Sequence, residues 1–348
     1  MRVLVTGHLG YIGGVLAPIL REAGHDVVGL DTGWFRACKF AAAPEPPRVP
    51  AIERDVRDVT SADLEGFAAV VHLANLSNDP LGDLDARLTE EINGAATLRL
   101  ARLAKEAGVE RFLFSSSCSC YGAGGDGLRD ERSSLHPVTP YGVAKIEVER
   151  GLSALADDSF SPTSLRNATA YGVSPFLRLD LVLNNLVAWA LTTGKVKLLS
   201  DGTPWRPIVH IEDISRTFLA VLEAPRERIH DEAFNVGRTG ENYRIRELAE
   251  IVAETVPGAV VEIAASASPD LRTYRVDCGK LERSLPDLRL GWDARRGARE
   301  LHRAYVAAGL DRADLEGPAY SRLGRIRRLL ADGDLGADLR WRRRAGSA

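Results

Sequence analysis

Cysteine is scarce in this chain: four residues (Cys38, Cys118, Cys120 and Cys278) are scattered over 348 positions. They form neither a zinc-ligand spacing nor a dense disulfide framework, so a reducing compartment is expected and no metal site. No apolar run is long enough to span a bilayer. The first residues, Met1–Gly7, read at once as strand and turn and lack the basic segment, apolar run and cleavage site of a signal peptide. A cytoplasmic protein is therefore expected. The formal net charge of -3 gives no general attraction to nucleic acid or to anionic membranes, and neither is expected as a partner. Internal repeats and low-complexity linkers are also missing.

What is present is an alternation of apolar runs and amphipathic patterns. Arg2–Thr6 reads as a strand, Tyr11–Ala23 as a helix stopped by Gly24, and Asp26–Asp31 as a second strand. Ala69–Ala74 is apolar without alternation, as in a strand buried on both faces. Leu88, Ile92, Ala96, Leu100 and Ala104 follow helical spacing, and Gly108 ends that helix. Arg111–Ser115 is a further strand and Tyr141–Ala156 a further helix. This rhythm predicts an α/β fold with a doubly wound, parallel Rossmann sheet. After about residue 170 the rhythm changes, with helices expected at Leu181–Thr193, Asp213–Glu223 and Arg246–Val256. The expected division is a dinucleotide-binding domain over 1–170 and a smaller substrate-binding lobe over 171–316, interleaved with returns to the main sheet. A basic C-terminal helix and tail occupy 317–348, and Ala41–Pro50, with four prolines, is a surface loop.

The segment joining the first strand to the first helix carries Gly7, Gly10 and Gly13 in the spacing G-x-x-G-x-x-G. Gly7 permits a tight turn, Gly10 a close approach of the backbone to a pyrophosphate, and Gly13 close packing of helix on strand. Tyr11 and Ile12 lie in the turn, where free N–H groups and the helix dipole favour phosphate. Asp31 ends the second strand, placed to accept hydrogen bonds from the adenosine ribose and to repel a 2′-phosphate. NAD is expected over NADP, although Arg36 lies close by in sequence.

Tyr141 and Lys145 are four residues apart on one helical face, a pairing in which an ammonium lowers the pKa of a phenol so that it can move a substrate proton. They follow Phe112–Gly122, a strand running into a hydroxyl-rich end that includes Ser115, Ser116, Ser117 and Ser119. With these elements in order, residues 1–300 or so resemble the extended short-chain dehydrogenase/reductase family, which includes nucleotide-sugar 4-epimerases and 4,6-dehydratases. The resemblance implies a catalytic set of Ser117, Tyr141 and Lys145, NAD as cofactor and a nucleotide-sugar substrate. It further implies adenine contacts from Asp55 and Val56, a cofactor wall of Leu73, Ala74 and Asn75, and a cofactor-side asparagine at Asn93. Arg206 falls where the family grips the substrate diphosphate. A homodimer through the helices Thr89–Ala107 and Tyr141–Ala156 is implied as well.

The chain departs from the family at several points. Thr169 stands where an asparagine is usual. The second diphosphate arginine is missing from its usual place, leaving Arg272 or Arg275 as substitutes. Cys118 and Ser119 occupy the two positions where 4,6-dehydratases carry an acid and a base, and neither is a good acid at neutral pH. Epimerisation through a transient keto-sugar is therefore the expected reaction, with a dehydrogenase, reductase or dehydratase as alternatives. Cys118 reads either as a substrate-side thiol or as a small buried filler. A different class of reading, a non-catalytic NAD-binding scaffold, draws on the C-terminal arginines Arg322, Arg325, Arg327, Arg328, Arg340, Arg342, Arg343 and Arg344 around Trp341. The plainer reading of that stretch is a solvated helix followed by a frayed end.

Overall fold

The computed structural model describes residues 1–45, 48–77, 79–82, 84–198, 200–263 and 272–342. Arg343 and Arg344 lie outside the described residues, as do two prolines of the loop Ala41–Pro50.

A seven-stranded parallel sheet forms the main layer. Its strands run, from edge to edge, Glu232–Val236, Ser161–Asn167, Arg111–Ser117, Ala69–His72, Arg2–Thr6, Asp26–Asp31 and Ala51–Glu53. The strand order reverses beside Arg2–Thr6, which places the ligand crevice at the carboxyl ends of the central strands. Val3, Val5, Val71 and Leu113 pack one face of the sheet, and Leu4, Val70, Phe112 and Phe114 the other; all are fully buried.

Three of these strands are not evident in the sequence. Ser161–Asn167 reads SPTSLRN, yet every residue in it is buried. Its polar groups are satisfied inside the fold. Thr163 donates to the Ile229 carbonyl at 2.7 Å, and Arg166 pairs with Glu149 at 2.6 Å. Buried polar groups with partners are tolerated, which hides such a strand from any hydrophobicity pattern. The first helix spans Gly13–Glu22 rather than beginning at Tyr11, because Gly10–Ile12 belong to the phosphate turn. The strand Ala69–His72 stops two residues short of expectation, freeing Leu73 and Ala74 for the crevice. The helix expected over Leu88–Ala104 runs on from Ala86–Thr89 through a π-helical stretch, Glu90–Ala95, into Ala96–Glu106.

A separate apolar cluster packs the helices Val182–Thr193, Ile245–Thr255 and Ala294–Ala308 around Leu186, Val187, Leu248, Val252 and Leu301. Among the described residues no helix is long and apolar enough to cross a membrane. The C-terminal segment corrects the expectation of a solvated helix and a frayed end. The helix Arg322–Ala331 buries Arg322, Ile326 and Leu329, and Leu335 and Leu339 beyond it are buried as well. Leu335 and Trp341 form an antiparallel bridge that folds the following chain back on itself.

Candidate active site

A cleft of about 1090 Å³ lies across the carboxyl ends of the sheet. One end is built for a dinucleotide. A Cβ placed on Gly13 would lie 2.3 Å from the Gly7 carbonyl oxygen and 2.5 Å from the His8 Cα. One on Gly7, whose φ is +76°, would lie 2.9 Å from the Ala74 nitrogen. Turn, helix and the Leu73–Ala74 backbone therefore touch directly, and any side chain would displace the N–H groups at the helix start. Gly7, Gly10, Tyr11, Ile12 and Gly13 all line the cleft.

Asp31 is fixed by two backbone donors, Leu9 N–H to Oδ2 at 3.0 Å and Gly33 N–H to Oδ1 at 2.8 Å. Burial raises its pKa, and those hydrogen bonds together with the nearby His8 oppose the rise. Each oxygen keeps a lone pair for ribose hydroxyls. Arg36, the one residue in doubt for cofactor choice, pairs with Glu53 at 2.6 Å. Asp55 and Val56 lie at the adenosine end, with Asp55 held by Arg57 at 2.7 Å. A close-packed glycine turn at a helix start and a fixed carboxylate at the second strand fit NAD.

Asn93 is a correction. It is fully buried and does not line the cleft; its side chain accepts from Leu76 N–H at 2.8 Å and donates to the Leu76 carbonyl at 3.1 Å. It braces the loop after Ala69–His72 instead of facing a ligand.

At the centre of the cleft are Ser117, Tyr141 and Lys145. Thr139 caps the helix Pro140–Ser153 by accepting from Gly142 N–H, and this fixes Tyr141 and Lys145 on the first turns. The ammonium of Lys145 donates to the Ser115 carbonyl at 2.6 Å and to Asn75 Oδ1 at 3.1 Å, and it lies 5.3 Å from the centre of the Tyr141 ring. Burial pulls Lys145 down to about 7. The expected lowering of the phenol is not seen. Burial and the charge of Asp79 push Tyr141 well above its ordinary value, and a hydrogen bond from Ser117 offsets only part of this. Burial disfavours the charged form of each group, which raises the phenol and lowers the ammonium.

Thr169, Ser119, Arg206 and Arg272 line the other end. Of the two substitute arginines, Arg272 faces the cleft; Arg275 instead stacks 4.6 Å over the Trp205 ring. Cys118, expected at the substrate, is corrected. Its thiol is 1% exposed, donates to the Arg166 carbonyl at 3.1 Å, and is driven to a high pKa by burial. The strand ends at Ser117, and the 3-10 turn Cys118–Tyr121 that follows buries Cys118, Cys120 and Tyr121.

Sequence reasoning passed over Asp79, Arg178 and Asp180, which also line the cleft. Asp79 binds Thr139 Oγ1 at 2.7 Å and Arg272 at 2.8 Å. Arg178 pairs with Asp180 at 2.8 Å and donates to Ser77 Oγ at 3.2 Å. The signal was available: Arg178 and Asp180 interrupt the otherwise apolar run Phe176–Leu183, and charges in such a run are buried only when paired.

The sequence profile of the NAD-dependent epimerase/dehydratase family matches residues 3–237. The chain is 29% identical to the UDP-glucose 4-epimerase of Corynebacterium glutamicum over 310 residues, covering 84% of this chain and 90% of that protein. It is also 29% identical to the UDP-glucose 4-epimerase of Bacillus subtilis, covering 86% and 94%. Among solved structures, MoeE5 in complex with UDP-glucose and NAD superposes with a TM-score of 0.75 at 28% identity, over 88% of this chain and 99% of that one. DesIV, a dTDP-glucose 4,6-dehydratase from Streptomyces venezuelae with NAD bound, gives a TM-score of 0.74 at 27% identity, over 88% and 97%.

Proposed function

Since the chain belongs to the NAD-dependent epimerase/dehydratase family, we propose that it epimerises a nucleotide-linked sugar through a transient keto-sugar. The observation that supports this reading is a cleft holding Ser117, Tyr141 and Lys145, with Cys118 turned away and Ser119 as its neighbour on the cleft side. NAD, when bound, accepts a hydride and returns it.

The chain's own residues supply the rest. Tyr141 would act as phenolate, a form that Lys145 and the positive charge of a bound nicotinamide would favour, taking the proton of a sugar hydroxyl and giving it back after the sugar has turned. Ser117 steadies that oxygen by hydrogen bonding. Lys145, anchored on Ser115 and Asn75, would orient the ribose of the cofactor and stabilise the phenolate. Gly7 to Gly13 would hold the dinucleotide phosphates and Asp31 the adenosine ribose. Arg206 and Arg272 suit the substrate diphosphate, since a guanidinium fork matches phosphate oxygens. Loss of water would need a further acid and base. Ser119 is neither, and Asp79 is already committed to Thr139 and Arg272.

The test is incubation with UDP-, dTDP-, GDP- and CDP-hexoses while following reduced-nicotinamide absorbance and product mass. An isomeric product without net cofactor reduction is expected. Stoichiometric reduction would make the protein a dehydrogenase, and a product lighter by one water would make it a dehydratase.

A further inference from the structure

We propose that Arg322 is a diphosphate-binding residue for the cofactor, delivered by a C-terminal segment that straps the adenosine end of the cleft. This rests on the assignment of NAD to that end. Arg322 is 2% exposed and lines the cleft. Its guanidinium lies 4.3 Å over the Phe35 ring, and Nη2 donates to the Phe176 carbonyl at 2.8 Å. Nη1 is buried without a hydrogen-bond partner. A buried charged donor left unpaired is costly, and an arriving anion removes that cost.

Geometry assigns the anion. Phe176, whose carbonyl holds Arg322, packs on the first turn of the helix Gly13–Glu22: its ring would lie 2.8 Å from a Cβ on Gly14. That helix start is where phosphate is favoured. On the other side, the Phe35 ring beneath Arg322 lines the same cleft as Asp31, the carboxylate for the adenosine ribose. Between a helix N-terminus and a ribose-binding carboxylate lies the diphosphate of a dinucleotide. Electrostatics agree. Burial, and then the neighbouring Arg178, bring the Arg322 guanidinium down to about 10 with Asp180 offsetting only part of this, so an arriving dianion would favour the charged form.

The segment that carries Arg322 is anchored to the loops of the adenosine site. Arg325 donates to the Trp34 carbonyl at 3.3 Å, and Trp341 Nε1 donates to the Thr32 carbonyl at 2.6 Å. Arg57, which holds Asp55, also donates to the Asp338 carbonyl at 2.9 Å. Thr32, Trp34 and Asp55 all line the cleft. Ordering of the strap and retention of the dinucleotide are thereby coupled, as an enzyme that reuses one cofactor molecule requires.

Titration calorimetry of the full chain with adenosine, ADP, NAD and UDP tests this, comparing wild type with Arg322→Met, which keeps the apolar stem. ADP and NAD should bind about 10- to 100-fold more weakly, the range of a lost charge-assisted hydrogen bond. Adenosine and UDP should be unchanged. Unaltered ADP affinity overturns the proposal, and so does a loss confined to UDP. A wild-type measurement guards against a misfolded variant. ADP, but not adenosine, should slow amide exchange across Arg322–Ala331; equal exchange with both overturns the proposal. A wild type that binds neither ADP nor NAD removes the cofactor assignment itself, and Arg322 with it.

Discussion

Replacing Lys145 by methionine changes the charge of the site and little of its shape. Burial brings this ammonium from 10.5 to about 7. At ~1.4 kcal/mol per unit, charging it in the folded cofactor-free protein costs roughly 4–5 kcal/mol below pH ~7. The sign follows from proton counting. Between about pH 7 and 10.5 the unfolded chain holds more protons on this group than the native state, so stability rises with pH across that window. The Lys145 contribution should therefore become less unfavourable by roughly 2–3 kcal/mol between about pH 6 and pH 9. Methionine removes that dependence, while leaving the Ser115 carbonyl and Asn75 short of a donor at ~1–3 kcal/mol each. The net stability change at one pH is thus small, and the change with pH is the informative quantity. Neighbouring groups stay out of the window: burial holds His72 at about 3 and Cys120 at about 12. For a chain of this size 1 kcal/mol corresponds to ~1–2 °C, so the variant's Tm relative to wild type should fall by about 3–5 °C from pH ~6 to ~9. Scanning calorimetry of both proteins, stripped of NAD and at matched ionic strength, gives this number. A Tm difference that stays flat across the range refutes a desolvated ammonium at Lys145.

Three further outcomes follow from the same geometry. Tyr141→Phe should lower kcat by ~10²-fold or more while leaving the NAD dissociation constant within about twofold, because proton transfer and dinucleotide binding rest on different residues; wild-type turnover by the variant would remove the catalytic assignment. Gly13→Ala should weaken NAD at least ~10-fold, about 1.4 kcal/mol, since its Cβ would meet backbone atoms of Gly7 and His8 that have nowhere to go; calorimetry showing unchanged affinity would mean that the turn is not the phosphate site. A homodimer through the helices Ala96–Glu106 and Pro140–Ser153, which leaves Val143 exposed in the single chain, should give twice the chain mass by light scattering at micromolar concentration; a monomer mass contradicts it.

The parallel sheet, the glycine turn, Asp31, and the order of Ser117, Tyr141 and Lys145 were legible in the chain's own pattern of residues. These features are local: a period of apolar residues, a spacing within one turn, two side chains four apart on one helix. Tertiary structure decided what depends on residues distant in the chain. Ser161–Asn167 became an interior strand because Glu149 and Ile229 satisfy its polar atoms. Cys118 went to the core because the chain turns there into the 3-10 stretch Cys118–Tyr121, and Asn93 became a brace because Leu76 meets both ends of its amide. Arg178 and Asp180 reached the cleft as a pair, with Ser77 as a partner a hundred residues earlier. Arg322 shows the limit most clearly. In the sequence it is the first of several arginines on an amphipathic helix, and nothing local separates it from Arg325 or Arg328. Only the packing of that helix between Phe35 and Phe176 takes one guanidinium out of water, and burial is what turns an ordinary surface charge into a group that needs an anion.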